Sequence, residues 1–203
     1  MSRKVYSERQ LRSQLMKQKI RDAARALLRT KGYDSVTVDE ICAEVGVTKG
    51  TFYNHFQSKE QMVLDDTAED NLYYRTKLRQ MVTDMTPGLE KLISFLRLAM
   101  AYENDKDREF TRFSYKLRIA DPKNAPAIYP DKRELYKITE ELIAEGQACG
   151  EIRQDLGSNR LATIVLYAIR GVAYSWCLPD TDFDLIEVGE DLFEVLQEGL
   201  RKK

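Results

Sequence analysis

Apolar residues recur at helical spacing through most of the chain, and few segments alternate as strands do. With 203 residues, 43% of them hydrophobic, the chain can bury a core in one or two domains. The sequence therefore predicts an all-α protein with about nine helices. The pattern breaks at every proline, namely Pro87, Pro122, Pro126, Pro130 and Pro179.

Two features of the sequence bear on the compartment. No apolar run approaches the roughly 20 residues that cross a bilayer, and Met1 to Tyr6 lead into more charge rather than a secretory signal. Cys42, Cys149 and Cys177 are odd in number and far apart, so neither a disulfide scaffold nor a CxxC metal site fits. We expect a cytoplasmic protein with no metal and no cofactor.

The formal net charge of −1 hides a strong asymmetry. Residues 1–60 hold 12 Lys/Arg and 7 Asp/Glu, whereas residues 61–203 hold 20 and 26. The basic residues concentrate in 3–31, with 10 bases against 2 acids. A basic N-terminal part and an acidic remainder indicate that only the N-terminal part binds a polyanion. A basic helix that is merely exposed to solvent has the same composition.

The segment from Val36 to Glu60 carries the strongest local signal. Thr37 and Glu40 have the spacing of a capping box, so a helix begins directly after Thr37. Gly46 permits the left-handed turn that ends this helix after two turns, and Thr48 can cap a second short helix. Two short helices joined by a glycine-containing turn are typical of a helix-turn-helix, and also of an ordinary αα-hairpin.

The second short helix has one apolar and one polar face. Phe52 and Phe56 are four residues apart and are expected to point inward together. No acidic residue occurs from Thr48 to Ser58, as close approach to phosphates requires. Gly50 would cost a free-standing helix roughly 1 kcal/mol relative to alanine, but it lets the backbone approach another surface. The residues left to face outward include Thr48, Lys49, Thr51, Tyr53 and His55.

A longer pattern surrounds this segment. It comprises Ile20, Ala24, Leu27 and Leu28, then Lys31-Gly32-Tyr33, Thr37-Val38-Asp39-Glu40-Ile41, Val45-Gly46-Val47-Thr48-Lys49-Gly50-Thr51-Phe52-Tyr53-Asn54-His55-Phe56 and Ser58-Lys59-Glu60. With this pattern, residues from about 17 to 65 resemble the DNA-binding domain of the TetR family of bacterial transcriptional regulators. Later segments are similar to many members, namely Glu145 to Arg153, Trp176 and Phe183-Asp184-Leu185.

The resemblance implies two domains and a function. Residues 1–60 would form a three-helix DNA-binding domain with a basic N-terminal arm, and residues 61–203 an effector-binding and dimerisation domain. The protein would be a homodimeric regulator and no enzyme, most often a repressor released from a palindromic operator by a small molecule. The basic extension, residues 1–16, departs from the usual start, and either a minor-groove arm or a solubilising tail fits it.

The family pattern also implies roles for single residues at the DNA. Lys49 would donate to guanine or phosphate, and Tyr53 and His55 to backbone phosphates. Thr37 and Lys59 stand at helix N-termini, where phosphate is favoured, although a simple cap and a solvated lysine are the alternatives. A ring that fills space beside Phe56 is the alternative for His55. The predicted DNA-binding residues are Thr37, Thr48, Lys49, Gly50, Thr51, Tyr53, His55 and Lys59.

The last two helices are apolar nearly all round, which is typical of helices buried on two sides. We expect a two-fold, four-helix dimer interface made by residues 158–177 and 184–200, although a monomer core is the alternative. The predicted interface residues are Leu161, Val165, Ala168, Val172, Trp176, Leu192 and Leu196.

Aromatic residues crowd the helices between the two ends of the chain, where family members usually bind an effector. A pocket lined by aromatic rings suits a largely apolar ligand, although each ring can equally belong to the core or the surface. Arg170 interrupts an apolar helix, where it would pair with an anionic effector or form a salt bridge. The predicted ligand-binding residues are Phe95, Tyr102, Phe113, Tyr136, Tyr167, Arg170 and Tyr174.

Two other functions remain compatible with an all-α chain. An enzyme or small-molecule carrier would use the aromatic region, but the sequence has no Gly-rich phosphate loop, metal-ligand cluster or nucleophile–base pair. A regulator without a small ligand would bind DNA constitutively or respond to a protein partner.

Overall fold

The computed structural model describes residues 8–64, 66–106, 108–120 and 133–202, without the side chains of residue 10 and residues 66–68. The start of the basic extension and the predicted loop 121–130 lie outside the described residues. The chain divides into two compact units, one up to Asp65 and one from Asp66, whereas the sequence placed the boundary after residue 60. In the described ranges no helix has both the length and the apolar character that a bilayer crossing needs.

The first unit contains α1 (Glu8–Lys31), α2 (Val38–Val45), α3 (Lys49–His55) and α4 (Lys59–Leu64). The second contains α5 (Asp66–Tyr73), a π-helical turn (Tyr74–Leu78), α6 (Arg79–Met81), α7 (Leu89–Asp105), α8 (Arg108–Ala120), α9 (Glu134–Ala148), α10 (Ser158–Trp176) and α11 (Leu185–Leu200). Counted with Lys59–Met81 as one interrupted segment, the described chain has nine helical segments and no strand beyond an isolated bridge. The all-α prediction is confirmed.

The core of the first unit uses the predicted face of α1 only in part. Ile20, Ala24 and Leu28 are buried, and Gly32 ends the helix at φ 72°. Leu11 and Leu15 are about half exposed, at 51% and 56%, because the described core of this unit begins one to two turns later, near Ile20. Arg21 is one of the basic residues that concentrate in 3–31. It is buried, with its guanidinium 5.4 Å from the centre of the Phe56 ring.

Helix α7 runs through the core of the second unit. Its residues Leu92, Ile93, Phe95 and Leu96 are fully buried, because α9 and α11 both pack against it. Helix α10 packs against α9 and α11 in the same unit. Burial of a Leu, Ile or Phe side chain stabilises a fold by about 1.5–3 kcal/mol, so this central helix organises the unit.

Helix α7 begins later than its sequence predicts. Thr86-Pro87 has the pattern of a cap and a first-turn proline, but the helix starts at Leu89 after Gly88, whose φ is 152°. The amide of Leu89 donates to the Glu151 carboxylate at 2.9 Å. Because that carboxylate comes from 62 residues away along the chain, no local pattern reveals it.

Candidate nucleic-acid interface and ligand cavity

Helices α2 and α3 are held by the predicted local hydrogen bonds. Thr37 and Glu40 form a complete capping box at the start of α2, and Gly46 ends the helix at φ 74°. The Thr48 hydroxyl accepts from the Thr51 amide and caps α3. These contacts confirm two short helices separated by residues 46–48.

The two faces of α3 differ sharply in exposure. Phe52 and Phe56 are 0% and 2% exposed, with ring centres 5.5 Å apart, so the inward face is confirmed. On the other side Tyr53 is 55% exposed, and its ring meets the Phe52 ring edge-on. The buried rings fix the helix while its polar side faces solvent. Thr48, Lys49 and Gly50 are exposed as well, whereas Thr51 and His55 are half-buried.

Gly50 is not required by the packing of its own unit. A Cβ added at this position would meet only the Thr48 hydroxyl, at an ordinary 3.6 Å. Its backbone is helical, where glycine costs roughly 1 kcal/mol relative to alanine. Nothing described in the unit therefore requires a glycine at this position.

Lys49 lies at the start of α3 and contacts α2. Its ammonium is 2.9 Å from the Asp39 carboxylate, and both side chains are exposed. The hydrogen bond with Asp39 raises the pKa of Lys49, so the side chain stays charged. Because exposed ion pairs are weak, a phosphate or a guanine edge can take the place of Asp39.

Two predicted DNA-binding residues at helix N-termini make contacts inside the unit. The Thr37 hydroxyl is part of the capping box. The Lys59 ammonium donates to the carbonyls of Tyr33 and Val36, at 2.9 and 2.7 Å, and lies 3.8 Å from the centre of the Tyr33 ring. In both cases the side chain holds the fold, as the alternative interpretations of these two residues expected.

Acid is expected to weaken the helix-turn-helix through Glu40. Hydrogen bonds from Lys31 and Thr37 lower the pKa of Glu40 from 4.5 to about 2. A carboxyl whose pKa is lowered in the folded state stabilises the fold at pH values above its ordinary pKa. This stabilisation is lost as the pH falls toward about 2. Glu40→Gln should therefore reduce the free energy of unfolding at about pH 7. Between about pH 7 and pH 3 this free energy should decrease less in the variant than in the wild type, as measured by urea denaturation. Glu44→Gln, on the exposed side of the same helix, is the control, and equal behaviour of the two variants would contradict this role.

The second unit contains a cavity of about 120 Å³. Its apolar wall includes Leu96, Met100, Phe110, Leu135 and Ile169. The lining also includes six charged side chains, namely Asp70, Glu103, Lys106, Arg118, Arg133 and Arg170. A cavity that joins an apolar wall to convergent polar groups is the usual form of a small-molecule site.

Opposite charges meet inside this cavity. Lys106 donates to the Asp70 carboxylate and lies 3.3 Å from Glu103. Burial raises the pKa of Glu103, but Lys106, Arg133 and the Thr111 hydroxyl together outweigh it and hold this pKa below its ordinary value. Burial and the nearby charge of Arg133 lower the pKa of both Arg118 and Arg170. The guanidinium groups therefore repel one another, a repulsion that an anion would relieve.

The cavity differs from the aromatic site expected from the sequence. Arg170 lines it, but the other six predicted residues do not. Phe95 lies in the core, Phe113 is buried on α8, and Tyr167 and Tyr174 are 59% and 43% exposed. The Tyr102 hydroxyl donates to Asp70, which lines the cavity, and the Tyr136 hydroxyl donates to the Asn159 carbonyl. Three other aromatic residues, Tyr74, Phe110 and Tyr115, do line the cavity, and a count of aromatic residues does not separate them from the rings of the core and the surface.

The predicted interface residues also divide into two groups. Leu161, Val165 and Trp176 are 3%, 1% and 9% exposed, because they pack into the core of their own unit. Ala168, Val172, Leu192 and Leu196 are half-buried. The apolar side chains that α10 and α11 leave most exposed are instead Ile164, Tyr167, Tyr174 and Val195, and Leu178 lies just beyond α10.

Two family models match the chain. Residues 20–65 match the model described as bacterial regulatory proteins, tetR family. Residues 116–199 match the C-terminal region of YsiA-like proteins. A fatty acid metabolism regulator protein of Bacillus subtilis is 22% identical over 182 residues, which cover 90% of this chain and 94% of the relative.

Solved structures share the fold. The fatty acid degradation regulator FadR from Bacillus halodurans is similar with a TM-score of 0.74 and 23% identity, over 92% of this chain and 97% of that one. FadR from Thermus thermophilus, a TetR-family repressor solved with lauroyl-CoA, has a TM-score of 0.68 and 24% identity, over 92% and 96%. The fold is therefore that of these regulators.

Proposed function

Because the chain belongs to the TetR family of bacterial transcriptional regulators, we propose that it is a homodimeric repressor of a palindromic operator. The observation that carries the proposal is the exposed, acid-free face of α3, which is fixed from behind by Phe52 and Phe56. In this proposal the protein acts in the cytoplasm and has no enzymatic activity, in line with relatives that are named as regulators.

In this proposal the contacts with DNA are made by residues on the exposed face of α3. Lys49 leaves Asp39 for a guanine edge or a phosphate, and Thr48 contacts a base edge or a thymine methyl group. Tyr53 donates its hydroxyl to a backbone phosphate. Gly50 brings the helix backbone close to the duplex, which explains a helical glycine that its own unit does not need.

The dimer covers the exposed apolar side chains of α10 and α11. Ile164, Tyr167 and Tyr174 follow one another at spacings of three and seven residues and so share one face of α10, and Val195 is 69% exposed on α11. Apolar side chains exposed along one helix face are a common feature of contacts between proteins. A second copy packed about a two-fold axis buries this surface and places two α3 helices on one operator.

The effector binds in the second unit, at a site that includes the cavity but can extend beyond it. Lauroyl-CoA is bound to the FadR neighbour from Thermus thermophilus, so fatty acids and their CoA thioesters are the first compounds to test. The effector must bind the arrangement that cannot hold DNA more tightly than the one that can, because equal affinity for both shifts nothing.

Salt dependence tests the proposal. Affinity selection from a random duplex pool supplies the operator, and fluorescence anisotropy measures its affinity. A dimer that neutralises roughly 6–10 phosphates should lose about 10³–10⁵ in affinity between about 50 and 200 mM salt. No selected duplex, or an affinity that is flat in salt, would contradict the DNA-binding role.

A further inference from the structure

The Asp70 carboxylate ties three helices of the second unit together. It lies on α5, is 4% exposed and accepts from Lys106 near the end of α7. It also accepts from the Tyr102 hydroxyl at 3.2 Å, and its second oxygen is 3.7 Å from Arg133 at the start of α9. Lys106 and Arg133 are themselves 7% and 9% exposed, so the cluster is almost completely out of water.

The same cluster forms one wall of the cavity. Asp70, Lys106 and Arg133 all line it, together with apolar side chains such as Leu96 and Ile169. A ligand in the cavity therefore meets both apolar side chains and this ion pair. An engineered cavity of about 150 Å³ holds one benzene, so this cavity of about 120 Å³ has room for about five non-hydrogen atoms.

An anion is the complementary ligand for this wall. The described lining has four cationic and two acidic side chains. Asp70 already demonstrates that a carboxylate fits against Lys106 and Arg133. Lys106 already has two carboxylates, Asp70 and Glu103, so the carboxylate of a bound acid adds to their repulsion and competes with Asp70 for the cations.

We propose that the cavity binds a small organic acid whose carboxylate takes the place of Asp70 at Lys106 and Arg133 and thereby frees α5. Binding of the acid does not depend on the proposed function, whereas its effect on operator binding rests on that function. Helix α5 is the first helix after the DNA-binding unit in the chain, and Asp70 and Asn71 attach it to α7 and α9. Loss of the Asp70 contact loosens this attachment while the acid holds α7 and α9 together.

Binding is tested first, without DNA. Acetate, propionate and butyrate are each compared with the corresponding neutral amide at constant ionic strength, by thermal shift and calorimetry. At least one acid should raise the unfolding temperature of the wild type while its amide, which has the same shape, does not. If no acid exceeds its amide, the inference fails. If lauroyl-CoA binds and the free acids do not, the inference also fails while the proposed function stands.

Removing the internal carboxylate should strengthen binding of the acid. Asp70→Asn removes one of the carboxylates that hold Lys106 and Arg133, so the dissociation constant of the preferred acid should fall by about tenfold or more. Asp155→Asn, which removes an exposed carboxylate paired with Arg153, has the same change in charge and should bind as the wild type does. Unchanged or weaker binding by Asp70→Asn overturns the proposal.

The fold of the variant is checked by the same measurements. If Asp70→Asn is unstable alone, saturating acid should restore its unfolding temperature more than it raises that of the wild type. The double variant Asp70→Asn with Lys106→Gln removes the buried pair together and should lose the preference for acid over amide. A double variant that keeps this preference contradicts the role of Lys106.

Operator binding is the separate final readout. Asp70→Asn should bind the selected duplex about tenfold more weakly than the wild type without any acid, because it mimics the occupied state. Asp155→Asn should bind it normally. Wild-type operator binding by Asp70→Asn overturns the inference and leaves the repressor intact. Acid binding with the expected pattern but no operator overturns the proposed function and leaves the cavity assignment intact.

Discussion

Lys49→Ala and Tyr53→Ala are each expected to weaken operator binding by about tenfold to a hundredfold for each half-site. Both side chains are exposed on α3, so their loss removes contacts with DNA without opening the core. The effect occurs twice in a dimer, because each half-site loses its own contact. Fluorescence anisotropy with the selected duplex measures the loss, and size-exclusion chromatography verifies that the dimer persists.

Three further variants separate DNA contact from damage to the fold. Lys137→Ala removes an equal charge from α9 in the other unit and should bind as the wild type does. Tyr53→Phe removes only the hydroxyl and should show most of the loss of Tyr53→Ala. Gly50→Ala should stabilise the fold by up to about 1 kcal/mol and still weaken operator binding. If Lys49→Ala or Tyr53→Ala dissolves the dimer, or binds normally, the outward assignment of α3 is wrong.

Val195→Glu is expected to convert the dimer into a monomer. Val195 is 69% exposed in the single chain, so glutamate is tolerated there until a second copy approaches. At a two-fold interface the change places two carboxylates in an apolar contact, which should weaken dimerisation by at least about a hundredfold. Operator binding falls with it, because the two half-sites then bind separate molecules. Analytical ultracentrifugation over a range of concentrations measures the change.

A matched substitution controls for the loss of an exposed apolar residue. Met81 is 62% exposed on α6, outside the proposed interface, and Met81→Glu should remain dimeric and bind the operator. A dimeric Val195→Glu variant, or equal dissociation of both variants, would contradict the interface on α10 and α11.

Local patterns predicted the helix-turn-helix well. The capping box of Thr37 and Glu40, the left-handed Gly46 and the buried Phe52 and Phe56 all have the predicted geometry. Each depends on residues within a few positions of one another, so spacing along the chain is sufficient.

The features that the sequence did not reveal depend on distant residues. Glu151 binds the start of α7 from 62 residues away, and Asp70 meets Lys106 from 36 residues away. Arg21 follows the basic pattern of α1 but turns inward against Phe56. The expected aromatic ligand site was placed wrongly for most of its residues, because composition does not determine which rings fill the core. A buried ion pair has no periodicity by which a sequence would reveal it.

The symmetry of the selected operator tests the central claim most directly, namely that the exposed face of α3 reads DNA twice in each dimer. Sequencing of duplexes that the wild type enriches from a random pool should reveal an inverted repeat, with half-site centres about 34 Å or a multiple of it apart. Enrichment of a single asymmetric site, or of no sequence at all, would contradict the claim.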